Sequence, residues 1–159
     1  AGLKTVGDDY LLLDQTDRPM AIPLYRLLKQ DPAGLARIPG LSERVGDQER
    51  NWQGKFELDP EALFPGCMAE SLRLRAILLP EVAHLAATRF ERVDRASATK
   101  ILVEPMLEQL PAPSAQSVMF FAGLTVQLPI YRAQLSEDAA EIASSVRKLI
   151  EEHAEHDRR

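Results

Sequence analysis

The amino-acid sequence predicts an α/β fold, a mixed sheet with helices on its faces. Three observations carry that prediction. Short apolar segments closed by glycine or proline recur along the chain, segments of helical periodicity alternate with them, and the helical segments carry recognisable start signals. With 159 residues, 45% hydrophobic and 27% charged, the chain is long and apolar enough to bury one core, so residues 1–159 are read as a single domain.

Residues 3–6, Leu-Lys-Thr-Val, read as a short strand-like segment with apolar ends that stops at Gly7 and two adjacent acids, Asp8 and Asp9, after which residues 10–13 are continuously apolar. This predicts strand, acidic turn, strand. Asp14, Gln15, Thr16, Asp17, Arg18 and Pro19 are turn formers, and Met20, Ala21 and Ile22 resume apolar character. A hairpin follows, with a register the residues do not specify. Asp31 before Pro32 predicts a short helix, because the carboxylate caps free N–H groups and proline suits the first turn. Pro39 and Gly40 end it. Residues 41–54 are polar and without periodicity apart from Trp52, which predicts a long surface loop able to act as a lid. Residues 55–58 alternate polar and apolar as a short strand, and Asp59 with Pro60 opens a helical turn through Phe64, stopped by Pro65 and Gly66.

Residues 72–79 are expected to form one largely buried strand closed by Pro80, with residues 84–93 as its neighbour. Asp94 is expected to cap a helix with Ala98, Ile101, Leu102, Met106 and Leu110 on one face, kinked or interrupted at Pro105. A second helix is expected over residues 113–124. Val126, Leu128, Ile130 and Tyr131 read as a last strand, placed at a sheet edge by Pro129. Ser136 opens the longest helix, which buries Ala139, Ile142, Ala143, Val146, Leu149 and Ile150, and residues 151–159 form a charged, frayed end.

Acidic residues outnumber basic ones 24 to 19, and no Lys/Arg cluster with interleaved aromatics occurs, so a general nucleic-acid surface is excluded while phosphorylated small molecules remain open. Cys67 stands alone, without a disulfide partner or a metal-ligand spacing, which points to a reducing, cytoplasmic setting. No apolar run approaches the roughly 20 residues of a membrane span, and the first residues lack a signal-peptide pattern.

The acids after the first apolar segment are the strongest chemical signal. In an open α/β sheet ligands bind at the carboxyl ends of strands, where Asp8 and Asp9 are expected. In phosphoryl transfer one carboxylate holds magnesium and another accepts the proton of the attacking hydroxyl. A solvated acidic turn is the competing explanation.

The resemblance that favours the first explanation runs in order through Gly7-Asp8-Asp9-Tyr10-Leu11-Leu12-Leu13, Ile22-Pro23-Leu24-Tyr25-Arg26-Leu27-Leu28-Lys29 and Gly54-Lys55-Phe56. It continues through Ala76-Ile77-Leu78-Leu79-Pro80 and Leu128-Pro129-Ile130-Tyr131-Arg132. Taken together these resemble the HPr serine kinase family, in the layout of its stand-alone kinase-like members. The resemblance implies a fold related to phosphoenolpyruvate carboxykinase, ATP and Mg2+ as cofactors, and a hydroxyl-bearing acceptor. It implies Asp8 as the magnesium-associated carboxylate and Asp9 as the base, with the reverse order open, and Lys55 as a basic residue that neutralises phosphate charge, although a solvated strand lysine is the favoured reading of that position.

The chain departs from the family in one respect. No G-x-x-x-x-G-K-[ST] run occurs, although the family carries its P-loop immediately before the acidic strand. Ala1-Gly2 resembles the end of the helix that follows that loop, so the chain is expected to begin mid-domain. The glycine- and arginine-rich signature of the bifunctional members is also missing, which argues against HPr itself as substrate.

Other residues have plainer explanations. Arg26 and Lys29 suit either an acceptor's anionic group or solubility, and solubility is favoured. Arg73 and Arg75 either pair with Asp8, Asp9 or Glu57 or lie at an exposed strand start. His84, His153 and His156 show no ligand spacing, Ser114, Ser117, Ser144 and Ser145 lack a nucleophile elbow, and Met119, Phe120 and Phe121 read as helix core. Two readings follow: a phosphotransferase fragment, or a kinase-like module that binds or assembles without catalysis. A third reading is a fragment that folds poorly, since removing a central strand and helix is expected to expose the apolar faces of Leu11 to Leu13 and of Leu74 to Leu79, with poor solubility or dimerisation as the outcome.

Overall fold

A computed structural model of the chain describes residues 2–14, 18–109 and 114–156. The expected turn residues Gln15, Thr16 and Asp17, the helix positions Leu110 and Pro113, Ala1 and the tail 157–159 lie outside the described residues, as do the Met106 and His156 side chains. Among the described residues the fold is mixed α/β, with three sheets and six helices. The chain divides into two compact units, Ala1–Arg73 and Leu74–Arg159. No described helix is long and apolar enough to cross a membrane.

The first unit contains the expected hairpin. Strand β1 (Leu11–Asp14) pairs antiparallel with β2 (Met20–Pro23) in the register Leu11↔Pro23 to Asp14↔Met20, and β2 pairs on its other side with the short β5 (Leu72–Arg73). Residues 3–6 do not form a full strand. Thr5 makes a single parallel bridge to Met68, with its N–H donating to the Cys67 carbonyl at 2.9 Å. Asp8 and Asp9 therefore do not stand at the carboxyl edge of a parallel sheet, because the strands β1 to β5 of this unit all pair antiparallel.

Strand β3 (Leu28–Gln30) pairs antiparallel with β4 (Phe56–Leu58), setting Lys29 opposite Glu57. Asp31 caps α1 (Pro32–Ala36) as expected, accepting from the Gly34 N–H at 2.6 Å. The expected loop over 41–54 opens instead with a helix, α2 (Leu41–Val45). The apolar pair Leu41 and Val45, four residues apart, packs on Leu35 and Leu58 with Leu28, Phe56 and Leu63, and this small core offsets the weak local propensity. Asp59 caps α3 (Pro60–Leu63), accepting from the Glu61 N–H at 2.9 Å. The Glu61 carboxylate closes the following turn by accepting from the Gly66 and Met68 N–H groups, which lower its pKa.

The expected single strand over 72–79 is divided between the two units. Its first residues form β5 and its last open β6 (Ile77–Leu85), so Arg73 and Arg75 do not alternate along one strand. In the second unit β6 runs parallel to β8 (Ile130–Ser136), and β7 (Arg89–Arg92) lies antiparallel on the other side of β8. The order is β6-β8-β7, so β7 is not a neighbour of β6, and β8 is central rather than at the edge. Pro129 precedes β8 and removes no donor from its ladder. Three residues, 86–88, carry the chain across the end of β8. The turn into this crossing is made by a register irregularity between Val82 and Leu85, with His84 at φ +52°.

Helix α4 (Arg95–Gln109) begins at Asp94, which accepts from the Ser97 N–H at 3.0 Å, and it continues through Pro105. Ser114 caps α5 (Ala115–Gln127), which includes Val126, expected in a strand. The Thr99 and Thr125 hydroxyls, 3.0 Å apart, join the two helices beside the buried Ala98 and Leu124. Phe120 and Phe121 meet edge to face, whereas Met119 is exposed rather than in the core. The last helix, α6 (Ala139–His156), starts after Asp138, not Ser136, because the Asp138 carboxylate accepts from the Ala140 N–H at 2.8 Å.

Candidate functional site

A cleft of about 240 Å³ in the first unit is lined by Asp8, Asp9, Tyr10, Tyr25, Leu27, Lys29 and Glu57. It brings together two stretches of the sequence singled out for chemistry, the acidic pair and the segment around Lys29.

The acidic turn is held by its neighbours. Thr5 Oγ1 accepts from the Gly7 N–H at 3.2 Å and its hydroxyl donates to the Gly7 carbonyl at 3.0 Å. Gly7 has φ +149°, and a Cβ built there would stand 3.0 Å from the Tyr25 carbonyl oxygen and 3.2 Å from Leu11 Cδ2. Glycine is required by conformation and by space. The turn then presents Asp8 and Asp9, both exposed. Asp8 Oδ2 accepts from the Lys29 backbone N–H at 2.8 Å. Asp9 makes no hydrogen bond or ion pair among the described residues, which leaves its carboxylate available.

The opposite wall comes from β3 and β4. Lys29 and Glu57 face each other in register, and both line the cleft. The Glu57 carboxylate is oriented by Asn51, whose Nδ2 donates to Oε1 at 2.9 Å. Asn51 also builds the adjoining turn. Its Oδ1 accepts from the Gln53 and Lys55 N–H groups, and its own N–H donates to the Lys55 carbonyl at 2.8 Å. Trp52 projects from that turn and is 91% exposed.

Lys55 sits in this turn, half-buried, and is not among the cleft residues. Lys29 is the cation among the cleft residues, and it meets the acids through its backbone N–H. Sequence reasoning favoured solubility for Lys29 and overlooked Glu57, Tyr10 and Tyr25 as site residues. The available signal was the polar–apolar alternation of 55–58, but placing Glu57 beside Lys29 needs the β3–β4 register.

In the second unit the most heavily bonded carboxylate is Glu141. Its Oε2 accepts from the Ser136 hydroxyl at 2.6 Å, the Thr88 hydroxyl at 2.7 Å and the Thr88 N–H at 3.1 Å, and its Oε1 accepts from the Ser145 hydroxyl at 2.6 Å. The Ser136, Ser145 and Thr88 hydroxyls, in that order, lower its pKa from 4.5 to about 2. With every donor engaged, this group fastens the 86–88 crossing to the start of α6. His84 Nδ1 lies 2.6 Å from Glu137 Oε1, and His153 Nε2 lies 3.1 Å from the Tyr131 hydroxyl. Among the described residues no three or more His, Cys, Asp or Glu side chains are grouped to hold a metal ion.

No protein-family model, curated protein or solved structure matches the chain.

Proposed function

We propose that this chain is part of an ATP-dependent phosphotransferase acting on a serine or another hydroxyl, in the manner of the HPr kinase-like family it resembles, with a phosphate-binding loop it does not itself contain. The observation that carries the reading is the division of labour in the acidic pair: Asp8 is held by the Lys29 N–H while Asp9 beside it is free, in one cleft. A fixed carboxylate suits a cation and a free one suits proton transfer.

The donor set fits Mg2+, which takes one or two carboxylates and completes its shell with water and phosphate oxygens. Asp8 would hold the ion, and the ion's chemistry would be to neutralise phosphate charge. The lining does not fit a triphosphate. It has no glycine and no run of backbone N–H groups, and Lys29 is its one cation. This chain's own contribution is therefore limited to orienting the acceptor between Tyr10 and Tyr25 and accepting its hydroxyl proton at Asp9. The poor fit to a triphosphate favours, as the second reading, a kinase-like binding or assembly module without catalysis. The solitary Cys67 and the acidic balance support a cytoplasmic protein that does not bind nucleic acid.

The test is the coding DNA upstream of Ala1. An in-frame G-x-x-x-x-G-K-[ST] within about 60 codons is expected, since a phosphate loop acts only when joined to the acidic strand. A start codon directly before Ala1 rejects catalysis in favour of the second reading. In the protein carrying that loop, Asp9→Asn is expected to keep the melting temperature and lose phosphoryl transfer, and full activity in that variant removes Asp9 as the base.

A further inference from the structure

We infer that the cleft beside the β3–β4 ladder seats a free α-amino acid, with the ligand carboxylate on the Lys29 ammonium and the ligand ammonium on the Glu57 carboxylate. That the amino acid bears a hydroxyl rests on the phosphotransferase reading; recognition of the zwitterion does not.

Lys29 and Glu57 stand directly opposite each other in the antiparallel ladder, and both line the cleft. Side chains so opposed leave the sheet on one face, with Cβ atoms about 5 Å apart. Both residues are half-buried. Opposite charges at that spacing and partly out of water ordinarily pair, yet among the described residues neither side chain takes part in an ion pair. The Asn51 amide holds Glu57 Oε1 at 2.9 Å, and Oε2 makes no hydrogen bond among the described residues. A half-buried charge without a counter-charge is costly, and a ligand that carries both signs offsets the cost at both residues.

Size and spacing select the ligand. The cleft holds about 240 Å³, below the roughly 300–1,000 Å³ of sites for drug-sized molecules, which suits a free amino acid and not a nucleotide. Facing charges suit an ammonium and a carboxylate borne on one carbon better than the two ends of a longer chain. Asp8, Asp9 and Glu57 outnumber Lys29, so an acid without an amine is disfavoured. Tyr10 and Tyr25 supply aromatic surface for the remainder of the ligand, and the unengaged Asp9 is the group in the same cleft that can meet a side-chain hydroxyl.

The probe is L-serine, titrated into the 159-residue chain and followed by amide NMR shifts. Three analogues are titrated beside it: N-acetyl-L-serine, which lacks the ammonium, L-serine methyl ester, which lacks the carboxylate, and 4-aminobutanoate, which holds the two charges farther apart. L-serine is expected to bind saturably and each analogue about tenfold more weakly or worse, about 1.4 kcal/mol. Lys29→Met keeps the backbone N–H that donates to Asp8 and should bring serine down to the level of its methyl ester. Glu57→Gln keeps an acceptor for Asn51 and should bring serine down to the level of the N-acetyl compound. A merely structural role for either residue would weaken every ligand alike. Equal binding of serine and either the N-acetyl compound or the methyl ester overturns the inference, as does no binding by a chain whose circular dichroism shows it folded. Should the chain not fold alone, the same titration of the protein translated with its upstream codons decides in the same way. Phosphoryl transfer to a peptide serine by the loop-bearing protein, without binding of free serine, removes this site and leaves the phosphotransferase reading; binding of free serine without its phosphorylation does the reverse.

Discussion

The backbone N–H of Lys29 donates to the carboxylate of Asp8 at 2.8 Å, a contact between residues 21 apart in the chain. It ties the acidic turn to β3 and leaves the neighbouring Asp9 as the unengaged member of the pair. Asp8→Ala should lower stability by about 1 kcal/mol, the usual net worth of such a bond, and Asp8→Asn, which keeps an acceptor, should recover most of the loss. Urea midpoints for the three proteins check this, and indistinguishable midpoints would show that the bond contributes nothing.

Gly7 is the second point of control over the turn. Alanine there meets a backbone carbonyl at 3.0 Å in a conformation that side chains rarely adopt, so Gly7→Ala should cost about 1–3 kcal/mol. Gly54, by contrast, has φ +75° but open space around it, and Gly54→Ala should cost less. Reversal of that order in thermal denaturation contradicts the crowding at Gly7.

Glu141 supplies a pH dependence. Its pKa is depressed in the folded chain from 4.5 to about 2 by the Ser136, Ser145 and Thr88 hydroxyls. Its contribution is complete above 4.5, where folded and unfolded chains are both ionised. As pH falls, the unfolded chain takes up the proton first, and the contribution is gone near 2. The stability gap between the natural chain and Glu141→Gln should be constant above pH 4.5 and close steadily below it. A gap that persists at the lowest pH would place its origin outside the ionised carboxylate.

Trp52 is the sole tryptophan and is almost fully exposed. Its emission maximum should therefore shift little on unfolding, so tryptophan fluorescence will be a poor unfolding probe here. Asn51→Ala removes the side-chain bonds that build its turn and orient Glu57, and should lower Trp52 anisotropy without lowering helix content. Strongly blue-shifted emission from the folded chain would mean that Trp52 is covered in solution.

Features governed by neighbouring residues were legible in the sequence. Asp31, Asp59 and Asp94 cap their helices as their chemistry requires, and the Leu11–Pro23 hairpin forms where apolar segments flank turn residues. Features set by distant pairing were not legible. Leu41 and Val45 become helical by packing on Leu35 and Leu58, which no local pattern announces. Ile130, expected in an edge strand, lies centrally because β6 and β7 take the two sides of β8. The cleft follows the same rule: Asp8 and Asp9 were visible as a motif, while Lys29 and Glu57 join them through a ladder 28 residues apart.

The placement of β8 between β6 and β7 has a consequence for synthesis on the ribosome. Both outer strands leave the exit tunnel before the central strand that pairs with each of them, with α4 and α5 intervening. Until Ile130–Ser136 emerges, Ile77–Leu85 and Arg89–Arg92 lack the strand that both pair with among the described residues, and contacts this distant in sequence form slowly. The nascent second unit is thus most exposed to mispairing and to chaperone capture in that interval, and any ribosome stall between codons 93 and 129 would prolong it.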